Sequence, residues 1–411
     1  MQYNDVNISL QEIIEKDKKY YMHTFGDRTP VCFEYGKGID LWDIEGRKFH
    51  DFLGGIAVNI LGHSHPKLVY ALQEQASKFI HCSSLYYIKQ QALLAEVLVT
   101  NSCADKVFFA NSGAEANEGA IKLARIFFKK KGIDDKFEII TLEKSFHGRT
   151  LATIAATGQE KYKKPFSPLM PSFINVPIND LKALENAVCH NTCAVMLEPI
   201  QGESGVNEAS VEFLKGVRQI CDQNGILLIY DEVQCGLGRT GKLFAYEHSG
   251  VEPDIFTLAK GLGGGFPIGA LCAKEFAAEA FAKGDHGSTF GGNPFACSAG
   301  LAVMDVLLND GLVENSRVMG EYLMSKLMGL KGKYNGIREI RGKGLMIAVQ
   351  FAKPSAETIK NSLFNEGYLV GSVGDDIIRL LPPLILNKSE ADEFIVIFNK
   401  VLEGILHETS D

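Results

Sequence analysis

Continuous apolar runs recur along the first two thirds of the chain, and each ends in glycine, carboxylate or other polar residues. Runs of this kind are typical of strands in a sheet that is buried on both faces. The runs are KVFFANSG (106–113), FEIITLEKSFHG (137–148), CAVMLEPIQGE (193–203), GILLIYDEVQCG (225–236) and DIFTLAKG (254–261). Segments with apolar positions at helical spacing lie between them, including 117–130 and 211–225, and the second ends at a typical helix stop, Asn224-Gly225.

The alternation of strands and helices predicts an α/β domain with a mostly parallel sheet. In such sheets, ligands bind at the carboxyl ends of the strands. Each run carries its unusual residues at that end. We therefore expect the functional site to lie there.

The C-terminal part of the chain has a different pattern. A helical stretch around 300–330 is followed by short strand candidates and an amphipathic helix, at 344–351, 367–373, 377–386 and 389–406. Near the other end, IDLWDIEGRKFHDF (39–52) is typical of a hairpin. We predict a large domain over 51–305 and a small α+β domain made from 1–50 and 306–411.

Composition excludes several classes of partner. The 411 residues carry a net charge of −8, which disfavours a nucleic-acid or anionic-membrane surface. The first 21 residues are polar and lack the apolar core of a secretory signal. No uninterrupted apolar run reaches the roughly 20 residues that a membrane helix needs. We expect a cytoplasmic protein with no membrane or nucleic-acid partner.

The nine cysteines show no disulfide framework, so we expect reduced thiols. The sequence CHNTC places Cys189, His190 and Cys193 close together. No second ligand pair stands at a recognisable spacing. We therefore predict no metal site.

The stretch ANSGAEANEGA (110–120) predicts a strand end, a turn and a helix start. Ser112 and Glu115 fit the capping box S-x-x-E, which begins many ordinary helices. Gly113 and Ala114 leave backbone N–H groups unobstructed at the positive end of the helix dipole, which suits an anion or phosphate. The stretch by itself is compatible with either interpretation.

The segment GLGRTG (236–241) matches the dinucleotide pattern G-x-G-x-x-G. DEVQC separates it from the strand and no clear helix follows, which disfavours a dinucleotide site. Asp231 is more informative, because a carboxylate at the end of an apolar strand is costly unless it meets a cation. A structural Arg or Lys would satisfy it, and so would a protonated heterocyclic nitrogen.

Lys260 ends an apolar run, and the glycine-rich GLGGG follows it. Confinement lowers a lysine's pKa and frees the amine to form a Schiff base with an aldehyde, while bare glycines let a flat ligand approach. Pyridoxal 5′-phosphate needs a lysine for its aldehyde, an acid for its ring nitrogen and a helix N-terminus for its phosphate. In SFHGRT (145–150), Phe146 and Arg149 suit a ring stack and a carboxylate clamp, or else a core Phe and a surface Arg.

Taken in order, these blocks resemble the class III pyridoxal-phosphate aminotransferases and, within them, the acetylornithine aminotransferase branch. The resemblance covers nearly the whole chain. Its blocks are LWDIEGRKFHDFLGGIAVNILGHSHP (41–66), FFANSGAEANEGAIKLAR (108–125), FHGRT (146–150), EPIQGESGV (198–206), YDEVQCGLGRTG (230–241), TLAKGLGGGFPIGA (257–270) and STFGGNP (288–294).

The resemblance implies a pyridoxal-phosphate-dependent transferase of fold type I. The large domain would hold a mostly parallel seven-stranded sheet, and the small domain would be α+β. It also implies a homodimer whose two active sites are shared between subunits. The cofactor residues it implies are Lys260 for the Schiff base, Asp231 for the pyridinium nitrogen, Gln234 near the ring hydroxyl, Phe146 for stacking, Ser112, Gly113 and Ala114 for the phosphate, and Thr289 reaching over from the neighbouring subunit.

For the substrates, the resemblance implies that Arg149 holds the donor α-carboxylate and that Ser288 also contacts substrate. Glu203 and Arg379 resemble the pair that switches between the donor and 2-oxoglutarate. The expected reaction is ping-pong transfer of the terminal amine of N2-acetyl-L-ornithine to 2-oxoglutarate in arginine biosynthesis. The nearest alternatives are ornithine, 4-aminobutyrate and N-succinyl-diaminopimelate aminotransferases, followed by an aminomutase on the same fold. A non-catalytic cofactor-binding protein is disfavoured because Lys260 is present.

Overall fold

The computed structural model of the protein describes residues 8–406. In chain order, the strands are β1 (Phe33–Lys37), β2 (Asp40–Asp43), β3 (Lys48–Asp51), β4 (Lys106–Ala110), β5 (Glu138–Leu142), β6 (Phe173–Val176), β7 (Thr192–Leu197), β8 (Ile200–Gln201), β9 (Asn207–Glu208), β10 (Leu227–Asp231), β11 (Ile255–Leu258), β12 (Gly269–Ala273), β13 (Ile337–Lys343), β14 (Met346–Phe351), β15 (Tyr368–Leu369), β16 (Gly371–Val373) and β17 (Ile377–Leu380). The helices are α1 (Leu10–Tyr20), α2 (Gly54–Ala57), α3 (Pro66–Lys78), α4 (Lys89–Thr100), α5 (Gly113–Lys130), α6 (Leu151–Ala156), α7 (Glu160–Lys163), α8 (Leu181–Ala187), α9 (Val211–Asn224), α10 (Glu275–Ala278), α11 (Pro294–Asn309), α12 (Leu312–Lys333), α13 (Ala356–Asn365) and α14 (Lys388–Leu406).

The central sheet has seven strands in the order β4-β12-β11-β10-β7-β5-β6. Only β12 runs antiparallel to its neighbours, so the prediction of a mostly parallel seven-stranded sheet is confirmed. Five of its strands coincide with the apolar runs in the sequence. The pattern missed β6, an edge strand that is only partly buried, and β12, whose sequence GALCA continues a glycine-rich loop.

Both faces of this sheet are covered, as continuous apolar strands require. In β10, Leu227 and Ile229 pack into one apolar cluster, whereas Leu228 and Tyr230 pack into another. This separation follows from the two-residue repeat of a strand. Helix α5 packs against β11 and β12, and α9 packs against β7 and β10.

The carboxyl ends of the parallel strands meet at one edge of the sheet. Asp231 ends β10, and Lys260 follows the last residue of β11 by two positions. Ser112 follows β4 by two positions, and Glu198 directly follows β7. The expectation that the unusual residues gather at this edge is therefore confirmed.

Two smaller sheets accompany the central one. One is antiparallel, in the order β13-β14-β17-β16, and the other has the order β1-β2-β3-β15. In the second, β15 from the C-terminal part pairs in parallel with β3 of the predicted N-terminal hairpin. The boundaries 50/51 and 305/306 stay a prediction, and residues 1–7 and 407–411 of the terminal ranges lie outside the described residues.

Two strand predictions in this region need correction. The run 377–386 is a strand only as far as Leu380, because Pro382 and Pro383 have no N–H to donate to a sheet. The run 367–373 forms two short strands, β15 and β16, which belong to different sheets.

Within the described part of the chain, no single helix is long and apolar enough to cross a membrane. Helices α11 and α12 meet the length and composition criterion only as a pair, and they bend by 64° where they join.

Candidate active site

A cavity of about 450 Å³ opens at the carboxyl edge of the central sheet. Most of the site residues predicted from the sequence line it together. They are Ser112, Gly113, Ala114, Phe146, Arg149, Glu203, Asp231, Gln234 and Lys260. The sequence prediction therefore identified residues that come from five separate segments and meet around one space.

Lys260 stands in a strained turn. Its φ is +41°, a region that residues with a side chain seldom occupy, and it begins a short 3-10 turn through Gly263. The side chain lines the cavity and is 22% exposed. Burial lowers the pKa of Lys260, and the charge of Glu203 only partly opposes this effect. The amine is thus disposed to act as a nucleophile or base.

Asp231 is buried at the end of β10 and accepts hydrogen bonds from three directions. Its Oδ2 lies 2.7 Å from Asn117 Nδ2 and 2.9 Å from His147 Nδ1, and the backbone N–H of Val233 donates to Oδ1 at 3.0 Å. Burial by itself lowers the pKa of His147, but the hydrogen bond and charge of Asp231 outweigh it, so that pKa is raised. The sequence left two kinds of partner for Asp231, a structural Arg or Lys and a protonated heterocyclic nitrogen. The described residues supply no Arg or Lys within ion-pair distance of this carboxylate.

Helix α5 begins at the cavity wall. The backbone N–H of Glu115 donates to Ser112 Oγ at 3.2 Å, as the predicted cap requires. In a capping box, the Glu side chain would accept a hydrogen bond from the N–H of the capping residue Ser112. Here Glu115 Oε2 instead accepts from the N–H of the preceding residue, Asn111, at 2.6 Å. The first N–H groups of a helix, here Gly113 and Ala114, have no acceptor within the helix, so the helix start suits an anion.

Arg149 and Phe146 form a cluster with Tyr162. The Arg149 guanidinium lies 4.0 Å from the ring centroid of Tyr162, and that ring packs edge-on against Phe146. Within the described residues, Arg149 forms no ion pair, whereas it lines the cavity. A cation on an aromatic face keeps its planar N–H donors available for a carboxylate.

Arg379 lies directly behind the cavity wall. Its Nη1 is 3.0 Å from Glu203 Oε1 and donates to the Gly202 carbonyl at 2.8 Å. Gln234 Nε2 donates to the same Glu203 oxygen at 2.7 Å. Glu203 Oε1 is also 3.8 Å from Lys260 Nζ. The predicted Glu203–Arg379 pair is in contact, and it lies beside the lysine.

Ser288 and Thr289 do not line this cavity. Ser288 Oγ accepts a hydrogen bond from Asn111 Nδ2 at 3.2 Å, so it lies one residue behind the wall. Thr289 is exposed, next to an exposed Phe290. Neither residue reaches the site of its own chain, and their roles stay predictions.

Sequence reasoning missed three buried polar residues of the wall, Asn117, His147 and Glu198. All three stand inside motifs that it singled out, but nothing in the local pattern shows where their side chains point. Glu198 accepts from the N–H groups of Phe146 at 2.9 Å and Gly202 at 3.4 Å, and burial raises its pKa to about 7. It links the loop of Phe146 to the loop of Glu203.

A left-handed turn next to a residue of the cavity wall was also missed. Residues 54–57, assigned to α2, all have positive φ, between 58° and 65°. This includes Ile56, a β-branched residue for which such a conformation is a strained outlier. The turn leads directly to Val58, which lines the cavity.

The donor set fits pyridoxal 5′-phosphate. A nucleophilic amine, a buried carboxylate with no Arg or Lys partner among the described residues and a helix N-terminus face the same space, and these are the three groups that the cofactor requires. Within residues 8–406, no cluster of His, Cys, Asp and Glu side chains is arranged to hold a metal ion. The fold and site together define a pyridoxal-phosphate-dependent transferase.

Comparisons with known proteins identify the family. The model of the family "Aminotransferase class-III" matches residues 21–402. Acetylornithine aminotransferases from Caldanaerobacter subterraneus and Methanocaldococcus jannaschii are 52% and 49% identical to this chain. The alignments cover 96% and 97% of the chain and 100% of each relative.

Solved structures agree with that match. An ornithine aminotransferase from Toxoplasma gondii, described with PLP at its active site, superposes with a TM-score of 0.93 at 31% identity, over 98% of this chain and 96% of its own. An acetylornithine aminotransferase from Elizabethkingia anophelis gives a TM-score of 0.86 at 34% identity, over 97% and 100%. This chain belongs to the class-III aminotransferases, and it is a transaminase that uses pyridoxal phosphate, a small-molecule amino donor and a keto-acid acceptor.

Proposed function

We propose that the protein transfers the terminal amine of N2-acetyl-L-ornithine to 2-oxoglutarate. The products are N-acetylglutamate 5-semialdehyde and glutamate, which is a step of arginine biosynthesis. The observation that carries the proposal is the identity of 49–52% to acetylornithine aminotransferases over nearly the full length of the chain. The two arginines at the site support it, since Arg149 is open to a carboxylate whereas Arg379 is paired with Glu203.

In this proposal, the arginines serve different substrates. Arg149 binds the α-carboxylate of the donor and orients its distant amine toward Lys260. Glu203 meanwhile keeps Arg379 paired, so a second carboxylate has no cation to bind near the lysine. When 2-oxoglutarate enters, Glu203 releases Arg379, which binds the acceptor's α-carboxylate. A bidentate Arg–carboxylate contact provides the geometric selectivity that each arrangement needs.

Bound pyridoxal phosphate supplies an aldehyde that takes up the amine and a ring that stabilises negative charge on the neighbouring carbon. Lys260 removes a proton from the amine-bearing carbon of the donor and later returns one to the acceptor carbon, as a general base and acid. Asp231 holds the proton on the ring nitrogen. The amides of Gly113 and Ala114 would hold the phosphate with Ser112, Phe146 would stack on the ring, and Gln234 would bind near the ring hydroxyl.

We also propose a homodimer in which Thr289 of each chain reaches the phosphate of the other. In support, Leu85, Tyr86, Tyr87 and Phe290 are large apolar side chains that are mostly exposed in the single chain, and Phe290 adjoins Thr289. Monomers rarely leave such a surface uncovered. The molecular mass in solution tests the dimer, and weaker cofactor binding by Thr289→Val tests the shared site.

A cytoplasmic location is part of the same proposal. All nine cysteines are unpaired, which suits a reducing compartment.

A half-reaction assay tests the substrate. The holoenzyme is mixed, without 2-oxoglutarate, with N-acetylornithine, N-succinyl-diaminopimelate, ornithine or 4-aminobutyrate, and the visible absorbance of the bound cofactor is followed. If the absorbance falls fastest with N-acetylornithine, the proposal is supported. If it falls faster with another donor, the protein belongs to the branch of the family that uses that donor. Continued turnover without an acceptor would instead indicate an aminomutase.

A further inference from the structure

One buried amide connects the three elements that carry the cofactor groups. Asn117 lies on α5, the helix that begins at the phosphate-binding residues, and it is 1% exposed. Its Nδ2 donates to Asp231 Oδ2 at 2.7 Å and to the His147 carbonyl at 2.8 Å. Its Oδ1 accepts from Thr257 Oγ1 at 2.7 Å. Every polar atom of this side chain is engaged.

Thr257 connects the Asn117 amide to β11, the strand that leads to Lys260. It lies on β11 directly beside Asp231 of β10, in register, and three residues before Lys260. Asn117 thus contacts both the acid and the strand that leads to the lysine. A fully satisfied buried network of this kind rigidifies the groups that it connects.

The two carboxylate oxygens of Asp231 accept different numbers of hydrogen bonds. Among the described residues, Oδ2 accepts hydrogen bonds from both Asn117 and His147, whereas Oδ1 accepts only the N–H of Val233. Because each carboxylate oxygen has two acceptor directions, Oδ2 is saturated and Oδ1 keeps one direction open. A further N–H donor from the cavity is therefore directed to Oδ1.

We propose that Asn117 is a positioning residue of the transamination site, which fixes the Asp231 carboxylate by hydrogen bonding and directs its Oδ1 at the ring nitrogen of the cofactor. The proposal rests on the proposed function only in its use of that cofactor. A hydrogen bond donated to a carboxylate stabilises its negative charge, and that charge would hold a proton on the ring nitrogen. Without the Asn117 donor, the ring nitrogen would hold its proton less firmly and the ring would be a weaker sink for electrons.

Two matched variants test this role. Asn117→Leu removes the donor at the site. Asn175→Leu makes the same change in a polar network of the same sheet, where Asn175 Nδ2 donates to Thr141 Oγ1 and Lys163 donates to Asn175 Oδ1 at 2.7 Å. Asn175 does not line the cavity. The two variants lose comparable hydrogen bonds, so thermal unfolding of the cofactor-free proteins measures the purely structural effect in each.

The decisive readouts are spectroscopic and kinetic. In Asn117→Leu holoenzyme without substrate, the visible absorption band of the bound cofactor is titrated with pH. The midpoint of this titration rises by about half a pH unit or more, because a neutral ring no longer repels the proton on the nitrogen that joins Lys260 to the cofactor. With saturating cofactor, kcat falls about 10- to 100-fold, the size expected for a lost hydrogen bond to a charged group, while the donor KM changes less than about threefold. Asn175→Leu leaves the midpoint and kcat as in the wild type.

A wild-type band midpoint and kcat in Asn117→Leu, with thermal destabilisation like that of Asn175→Leu, would overturn the proposal. If Asn117→Leu cannot be purified folded, Thr257→Val loosens the amide from β11 instead. A rise in midpoint with a kcat loss of about threefold or more then supports the proposal, and unchanged values overturn it. Because the band is titrated without substrate and kcat is taken with the best donor found, a wrong substrate assignment does not affect this test.

Discussion

Glu203 Oε1 lies 3.0 Å from Arg379 Nη1, and the arginine it pairs with is only 4% exposed. Burial by itself raises the pKa of Glu203, but the charges of Arg379 and Lys260 and the hydrogen bond from Gln234 outweigh it and lower that pKa. The carboxylate is therefore ionised at neutral pH. The ion pair with Glu203 occupies Arg379, whereas Arg149 remains available to bind a carboxylate.

We predict that Arg379→Ala impairs the acceptor half-reaction and leaves the donor half-reaction nearly intact. Loss of a buried charge pair to the acceptor carboxylate costs about 2–5 kcal/mol in kcat/KM for 2-oxoglutarate. Single-turnover rates for each half-reaction measure the two effects separately. Arg338→Ala, a change at an exposed arginine on β13, serves as the control. Equal losses in both half-reactions would exclude a selective role for Arg379.

Glu203→Gln should extend the activity of the Lys260 amine to lower pH. Burial is the main cause of the lowered pKa of Lys260, the charge of Glu203 opposes it, and Arg379 adds to it. Removing the carboxylate charge therefore lowers that pKa further, and more of the amine is unprotonated at a given acidic pH. The measurement is the pH dependence of the rate at which cofactor-free protein takes up pyridoxal phosphate. We expect the acidic midpoint to move to lower pH in Glu203→Gln and to stay in place in the surface variant Glu212→Gln; an upward shift would contradict the assignment.

Arg149→Ala should weaken use of the donor. The lost carboxylate contact raises the barrier for donor kcat/KM by about 2–5 kcal/mol. The acceptor half-reaction of the same variant provides the internal control, since Arg379 remains. Unchanged donor kinetics would remove Arg149 from donor binding.

Lys260→Ala should lose nearly all turnover, because no other amine of the described chain lines the cavity. The visible absorption of the lysine-bound cofactor should vanish as well. Lys129→Ala, at an exposed position near the end of α5, should behave like the wild type. Turnover near the wild-type level in Lys260→Ala would show that this lysine does not perform the chemistry.

Gly269→Ala should weaken cofactor binding through the backbone. A Cβ at Gly269 on β12 would lie 2.4 Å from the carbonyl oxygen of Ser112, so the start of α5 would have to move. We expect the cofactor dissociation constant to rise about tenfold or more, a loss of roughly 1.4 kcal/mol. Gly329→Ala on α12 meets nothing within 4 Å and should instead stabilise the protein by about 0.5–1 kcal/mol. Equal cofactor affinity in Gly269→Ala and the wild type would show that the helix start tolerates displacement.

Local pattern was sufficient to identify the strands that build the site and the chemical groups at their ends. Asp231 and Lys260 could be recognised because a charged side chain that ends a buried strand is costly unless it has a function. The helix start at Ser112 could be recognised because its capping residues are neighbours in sequence. These features depend on residues that are only a few positions apart, so they can be predicted from the local sequence.

The sequence by itself therefore determined the alternating α/β architecture and the places of Lys260, Asp231 and the helix start at Ser112. Only the tertiary structure decided that Thr257 and Asn117, 140 positions apart, share a hydrogen bond, that Arg379 also donates to the Gly202 carbonyl, and that β12 runs against its neighbours. Such contacts depend on how α5 packs on the sheet and how β17 is held against the loop at Gly202. Packing of this kind joins segments distant in the chain, and no local spacing of apolar and polar residues encodes it.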